Sequence, residues 1–256
     1  MGSVNLRRWW SGGLASRTTG APASSNGASS LHLWWLLDGP LVEVAVTVEV
    51  VVPPPGDRLV FWALQAGFTD GRRPLGAGHL GLQAHPGHPG GTAVNWGGYR
   101  APALGGGELT GSESPLPSRL HNANTRDFPW RPGQPYRLRI RPSSGGAGWT
   151  GSVTDLGTGR QTDVRHLDGA GNRLEHPVVW TEDFSRCDAR SSAVRWSDFE
   201  GLAPDGRLVR PVGLKVNYQS EADGGCSNTT AQPDGEGVLQ VTNVARQWPT
   251  GAVLPL

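Results

Sequence analysis

Acidic residues bracket an apolar run at one place in the chain, Glu175-His176-Pro177-Val178-Val179-Trp180-Thr181-Glu182-Asp183-Phe184. Glu182 is two residues from Trp180, so strand alternation would set both on one face. A carboxyl group held against an indole is poorly hydrated; its pKa rises and it becomes able to act as a general acid near neutral pH. Cleavage of a glycoside needs a second carboxylate as nucleophile or base, and Glu108 and Glu175 are the candidates. The competing structural reading pairs these strand-end acids with the nearby Arg186, Arg190 and Arg195.

A different chemistry is suggested by two clusters. Asn95-Trp96-Gly97-Gly98-Tyr99-Arg100 sets two rings and a guanidinium beside permissive backbone, and Asn122-Ala123-Asn124-Thr125-Arg126-Asp127-Phe128-Pro129-Trp130 repeats that composition. Flat rings stack on the apolar face of a hydroxylated ligand, while amides and guanidinium forks bond its rim. The candidate ligand-binding residues are therefore Trp96, Tyr99, Trp130 and Trp180 for stacking, with Arg100, Arg126, Asn122 and Asn124 for hydrogen bonds. Between the clusters runs a long stretch of low propensity, residues 101–124, and loops of that length in a compact domain are often functional.

His79, His85 and His88 crowd together, but no carboxylate lies within eight residues and the segment is rich in Pro and Gly. They are read as a polar hairpin tip, and no metal site is expected. No Ser-His-Asp signature, phosphate loop or dinucleotide fingerprint occurs. No cofactor is expected, and no motif supports calcium. Cys187 and Cys226 are the only cysteines; two cannot build a zinc site without histidines, and none follows Cys187. A structural disulfide is the functional reading, two unrelated buried thiols the alternative.

The elements that must position these groups read as strands. Leu41 to Val52 alternates over its length, with Val42, Val44, Val46, Val48 and Val50 on one face and Glu43, Thr47 and Glu49 on the other. Prolines 53–55 end it, and Leu59 to Ala66 is the next strand, expected as its antiparallel neighbour across a proline turn. Leu31 to Leu37, Gly76 to Gln83, Thr92 to Tyr99, Tyr136 to Arg141, Trp149 to Asp155, Val178 to Thr181, Ala193 to Trp196, Leu214 to Tyr218 and Val238 to Thr242 complete the set. Gly 38 and Pro 21 among 256 residues leave little room for long helices, and no window carries a helical stripe. The expectation is an all-β chain forming an antiparallel two-sheet sandwich or jelly roll, with few or no helices. Residues 31–256 form a single domain in this reading, after a flexible leader over 1–30.

The formal charge of +1 gives no global field for nucleic acid or an anionic membrane, and no apolar run is long enough to span a bilayer. Neither is expected as a partner. The leader carries Arg7 and Arg8 with no apolar segment behind them, so it does not read as a secretory signal. A cytoplasmic location follows by default, or a secreted one if the N-terminus is truncated.

Several phrases resemble an actinobacterial β-sandwich family of unassigned activity. Gln65-Ala66-Gly67-Phe68-Thr69-Asp70-Gly71, followed by Gly78-His79-Leu80-Gly81-Leu82-Gln83, is similar to its opening glycine-rich segment. Trp130-Arg131-Pro132-Gly133-Gln134-Pro135-Tyr136-Arg137 resembles a strand entry. Trp149 to Asp155 with Thr158-Gly159 resembles a hairpin, and Val179-Trp180-Thr181-Glu182-Asp183-Phe184 before Cys187 resembles a later strand. The resemblance covers about residues 60–200 and implies a lectin-like, concanavalin-like sandwich; it supplies fold and not chemistry. The chain departs from the family in lacking a signal peptide and in carrying Thr92 to Tyr99 where an aromatic motif usually stands.

Together these readings predict a binding module for a carbohydrate or similar hydroxylated small molecule, through an aromatic- and arginine-lined cleft. The alternative is a cofactor-free enzyme, either glycoside-cleaving through Glu182 or a cyclase of specialised metabolism acting in a Trp-lined pocket. A structural or protein-binding sandwich, which needs no pocket, is the third.

Overall fold

A computed structural model describes residues 19–145, 147–169, 171–235 and 237–256. The described chain is all-β, and its only helical segments are two single turns at Pro89–Gly91 and Pro102–Leu104. The strands are β1 (Ser29–Trp35), β2 (Glu43–Val52), β3 (Val60–Thr69), β4 (Pro74–Ala84), β5 (Thr92–Arg100), β6 (Thr125–Asp127), β7 (Pro135–Pro142) and β8 (Trp149–Asp155). They continue with β9 (Gln161–Leu167), β10 (Arg173–Asp183), β11 (Ala193–Leu202), β12 (Leu208–Val209), β13 (Gly213–Tyr218), β14 (Thr230–Asp234), β15 (Gly237–Val241) and β16 (Val253–Pro255). The first sheet runs β16-β13-β1-β10-β3-β4-β5-β6; the second runs β14-β15-β11-β2-β7-β8-β9, with β12 on β11. The described pairings are antiparallel, and the two sheets pack face to face as a sandwich.

Alternation decides what fills the gap between them. Val44, Val46, Val48 and Val50 of β2 point inward, with Trp62, Leu64 and Phe68 of β3, Trp96 of β5, Trp149 of β8 and Trp196 of β11. Phe68 stacks on Trp149 with ring centroids 5.2 Å apart, and Trp130 meets Trp62 edge-on at 5.7 Å. Space for Trp96 comes from glycine on both sheets: a Cβ on Gly78 would lie 2.7 Å from its Cη2, and one on Gly151 would lie 2.6 Å from its Cδ2.

Two expectations change. β2 and β3 are not sheet neighbours: β2 pairs with β11 and β7, while β3 pairs with β10 and β4. Prolines 53–55 have no N–H to extend a ladder, and the segment carries the chain from one sheet to the other. The boundary of the leader also moves. Residues 1–18 lie outside the described residues, but Gly20 accepts a bond from the Cys187 N–H and Ala23 donates to Gly224. Packing thus begins well before Leu31. Beside this segment Cys187 and Cys226 are joined as a disulfide, their Cα atoms 5.5 Å apart.

The outer faces of the two sheets differ in kind. On the second, arginines are matched with carboxylates: Arg139 grips Glu43 through two bonds of 2.6 Å, Arg137 meets Glu200, Arg195 lies between Glu49 and Asp234, and Arg141 meets Asp163. That face is an ordinary solvated surface. The outer face of the first sheet carries rings.

Candidate functional site

In β3 the core takes Trp62, Leu64 and Ala66, which leaves Phe61, Ala63 and Gln65 on the opposite face. Residues directly opposite on neighbouring strands share a face, so register extends this row across the sheet. Trp180 lies opposite Ala63, Val178 opposite Gln65 and Glu182 opposite Phe61 on β10. His79 lies opposite Gln65 on β4. On β1, His32 lies opposite Trp180 and Trp34 opposite Val178.

The rings form a continuous ladder over β1, β10, β3, β4 and β5. His32 stacks on Trp34 at 6.2 Å and approaches Trp180 at 6.3 Å. Phe61 meets Trp180 edge-on at 4.8 Å and His79 at 5.9 Å. His79 then stacks on Tyr99 at 5.8 Å. Phe61, Ala63, Val178 and Trp180, with Trp34 alongside, make an apolar cluster separate from the main core. Phe61 and Trp180 are themselves only 6 % and 5 % exposed, so the middle of the ladder is nearly closed to solvent. Tyr99 is 52 % exposed and ends the ladder.

The face is poor in charge. Burial pulls His32 and His79 down from 6.5 to about 4, so both imidazoles are neutral at neutral pH. Gln65 accepts a hydrogen bond from the Trp180 indole Nε1 at 3.2 Å. Charged members stand at the margins: Lys215 opposite Trp34 on β13, and Glu182 at the far end of the Phe61 row. Asn26 donates to Glu182 at 3.1 Å. Burial raises the Glu182 pKa, against the opposing bonds from Asn26 and Ser30.

No family model and no curated protein matches the chain. Among solved structures it is similar to Scytalido-glutamic peptidase with a peptide-based transition state analog (TM-score 0.48, 12 % identity, covering 83 % of this chain and 97 % of that one). It is similar also to SCP-B, a member of the Eqolisin family of peptidases, in complex with the tripeptide Ala-Ile-His (TM-score 0.48, 11 % identity, 83 % and 97 % covered). A second scytalido-glutamic peptidase structure, with a transition state analog inhibitor, has TM-score 0.43 at 12 % identity, with 88 % and 98 % covered.

The structure separates the residues expected to bind ligand. Tyr99 and Trp180 share the ring ladder, but only Tyr99 is open to solvent; Trp180 is 5 % exposed and lies beneath its neighbours. Trp96 and Trp130 face the core instead, 0 % and 5 % exposed, and the Trp130 indole donates to the Gln83 carbonyl at 2.9 Å. No ligand can stack on them from solvent, because β5 turns Trp96 to the opposite face from Tyr99. Asn122 closes a turn, its Oδ1 accepting from the N–H groups of Asn124 and Thr125. Asn124 lies against Gly97, at the rim of the ladder. Arg126 lies opposite Val94, on the core side. Arg100 is exposed opposite Gly76, on the side of the strand away from Tyr99.

The three acids do not meet. Glu182 shares a face with Trp180, as alternation requires. Glu175 pairs with Gly67 at the other end of β10, roughly 20 Å away by the strand rise, beside a separate cleft of about 430 Å³ shared with Arg72, Arg73 and His176. Glu108 bridges to Tyr99, three strands over. A glycosidase pair stands about 5–9.5 Å apart, so neither partners Glu182. The histidines divide similarly: His79 joins the ladder, while His88 bonds Asp127 at 2.6 Å with His85 edge-on at 4.7 Å. Sequence reasoning missed His32, Trp34, Phe61, Gln65 and His79 as site residues. Their segments are apolar on both faces, and a continuous apolar run does not say which side meets the other sheet.

Proposed function

We propose that the protein binds a carbohydrate chain, or a ligand of the same hydroxylated chemistry, across the outer face of the first sheet. The ring ladder from Trp34 to Tyr99, which opens to solvent at the exposed Tyr99 ring, carries this reading. Sugar C–H faces lie flat on aromatic rings, and hydroxyls both donate and accept. Neutral imidazoles and a side-chain amide complement such groups without a net charge. Calorimetric titration of neutral oligosaccharides into the protein tests it, with denatured casein as a peptide arm. Saturable binding to a saccharide, weakened in Tyr99→Ala, is the expected result. No heat with any saccharide at millimolar concentration, or binding to casein alone, would overturn it.

Glu182 favours a second reading, a hydrolase in which this acid protonates the leaving group of a ligand lying on the rings. The raised pKa and the shared face with Trp180 support it. New reducing ends or new amino groups released by wild type and not by Glu182→Gln would establish cleavage. Binding without release in both proteins would leave a pure binding platform.

A further inference from the structure

At the open edge of the sandwich, β6 is the last strand of the first sheet and β9 the last of the second. Arg126 of β6 lies opposite Val94, a core residue. Arg165 of β9 lies opposite Gly151, whose Cβ position abuts Trp96. Both guanidinium groups therefore enter the gap between the sheets, one from each side.

Arg165 is 5 % exposed. Its Nη1 donates to the Ala123 carbonyl at 2.9 Å and to Asn124 Oδ1 at 3.0 Å. A Cβ on residue 111 would lie 2.8 Å from its Nη2, so glycine there leaves the fork its space. Neither arginine has an ion pair among the described residues, and Arg126 makes no side-chain hydrogen bond there. The Arg126 Nε is sealed from solvent with no partner. Two carboxylates influence Arg165 without touching it, Asp168 and Glu108. Asp168 is taken by Thr110 at 2.9 Å and His166 at 3.1 Å, and Glu108 accepts from Asn124 at 3.4 Å.

Buried charges in proteins are normally paired, and like charges add to the cost of burial. The arginines of the second sheet's outer face follow that rule, each with its carboxylate. The pair at the edge breaks it, in a frame that holds one fork fixed. A guanidinium fork matches an oxyanion through parallel N–H bonds. We infer that Arg126 and Arg165 form an oxyanion subsite, taking a carboxylate or sulfate group at the edge where Tyr99 and Asn124 end the ring ladder. The inference does not depend on what the rings bind.

Melting of the full chain in sodium sulfate against sodium chloride, at matched ionic strength, tests the subsite in wild type and Arg126→Gln. Wild type should gain a saturable rise of about 4 °C at tenfold excess over the dissociation constant. The variant should lack that saturable component and keep only the non-specific stabilisation by sulfate. In chloride the variant should melt at or above wild type, because a like charge has been removed. Arg126→Lys keeps the charge and loses the fork, and should bind at least threefold more weakly. Sodium acetate in place of sulfate distinguishes a carboxylate subsite from a sulfate one. Coincident wild-type curves in all three salts, a saturable rise retained in Arg126→Gln, or a variant melting well below wild type in chloride would overturn the subsite.

Discussion

Trp180 and Gln65, on neighbouring strands of the first sheet, share one hydrogen bond, from the indole Nε1 to the amide Oε1 at 3.2 Å. An indole N–H can only donate, so the amide must turn its oxygen to it and its two N–H bonds elsewhere. Val178 and His79 flank Gln65 in register, which makes this amide a fixed donor within an apolar row. Replacing Gln65 by Leu removes a donor without removing the ring ladder. Oligosaccharide affinity should fall roughly threefold to tenfold, the range of one neutral hydrogen bond. An unchanged dissociation constant in calorimetry would mean that ligand does not reach this row.

Tyr99 separates binding from stability. It is 52 % exposed, with its contact to His79 on one side only. Tyr99→Ala should change the unfolding free energy by no more than about 0.5 kcal/mol, as surface substitutions do. The same change removes a stacking ring, and affinity should drop roughly tenfold. Urea melts and titrations on one preparation check both halves. Trp180→Ala is a poorer probe, since truncating a buried tryptophan costs about 3–5 kcal/mol.

The fold was more legible than the site, for a physical reason. Period-two alternation in Leu41 to Val52 told which face was buried because one face carries Glu43, Thr47 and Glu49. Leu59 to Ala66 has no such polar face until Gln65, so its sheet and its outward side were both hidden. Strands β6, β12 and β16 are three residues or fewer, and β9 is polar; their pairing comes from neighbours rather than from their own sequence. Trp96 and Trp130 looked like a site because tryptophan serves cores and clefts alike. Only the packing of its ring against Gly78 and Gly151 shows that Trp96 is core. Glu182 and Trp180 were readable as a same-face pair because they stand on one strand, two residues apart.

The disulfide should be a large part of the stability at its end of the molecule. Cys187 and Cys226 enclose a sequence separation of 39, and closing such a loop is worth about 3–4 kcal/mol. Cys187→Ser with Cys226→Ser should lower the melting temperature by roughly 10 °C. The effect should include loosening of the segment from Gly20 to Asn26, which hangs on Cys187 and Gly224 through backbone bonds. Hydrogen exchange at Ala23 would rise with the drop in melting temperature; a global drop with Ala23 still protected would separate the segment from the bridge.

Acid should weaken the fold through the ring ladder. His79 is faced by Phe61, Trp180 and Tyr99, and His32 by Trp34 and Trp180, with Asn217 opposite it on β13. None of these groups offers a negative charge to an imidazolium, and burial holds both histidines at about 4 in the folded state against 6.5 when unfolded. Between those values the unfolded chain binds more protons than the native one, so stability falls as pH drops from about 6.5 to about 4. Glu182 and Asp183 act in the opposite sense: burial raises both, so they stabilise the protonated fold at low pH and lose that contribution as pH rises. The melting temperature of wild type should therefore decline across the histidine window, and His32→Gln with His79→Gln should flatten the decline. Parallel wild-type and variant curves would place the acid sensitivity outside the ring ladder.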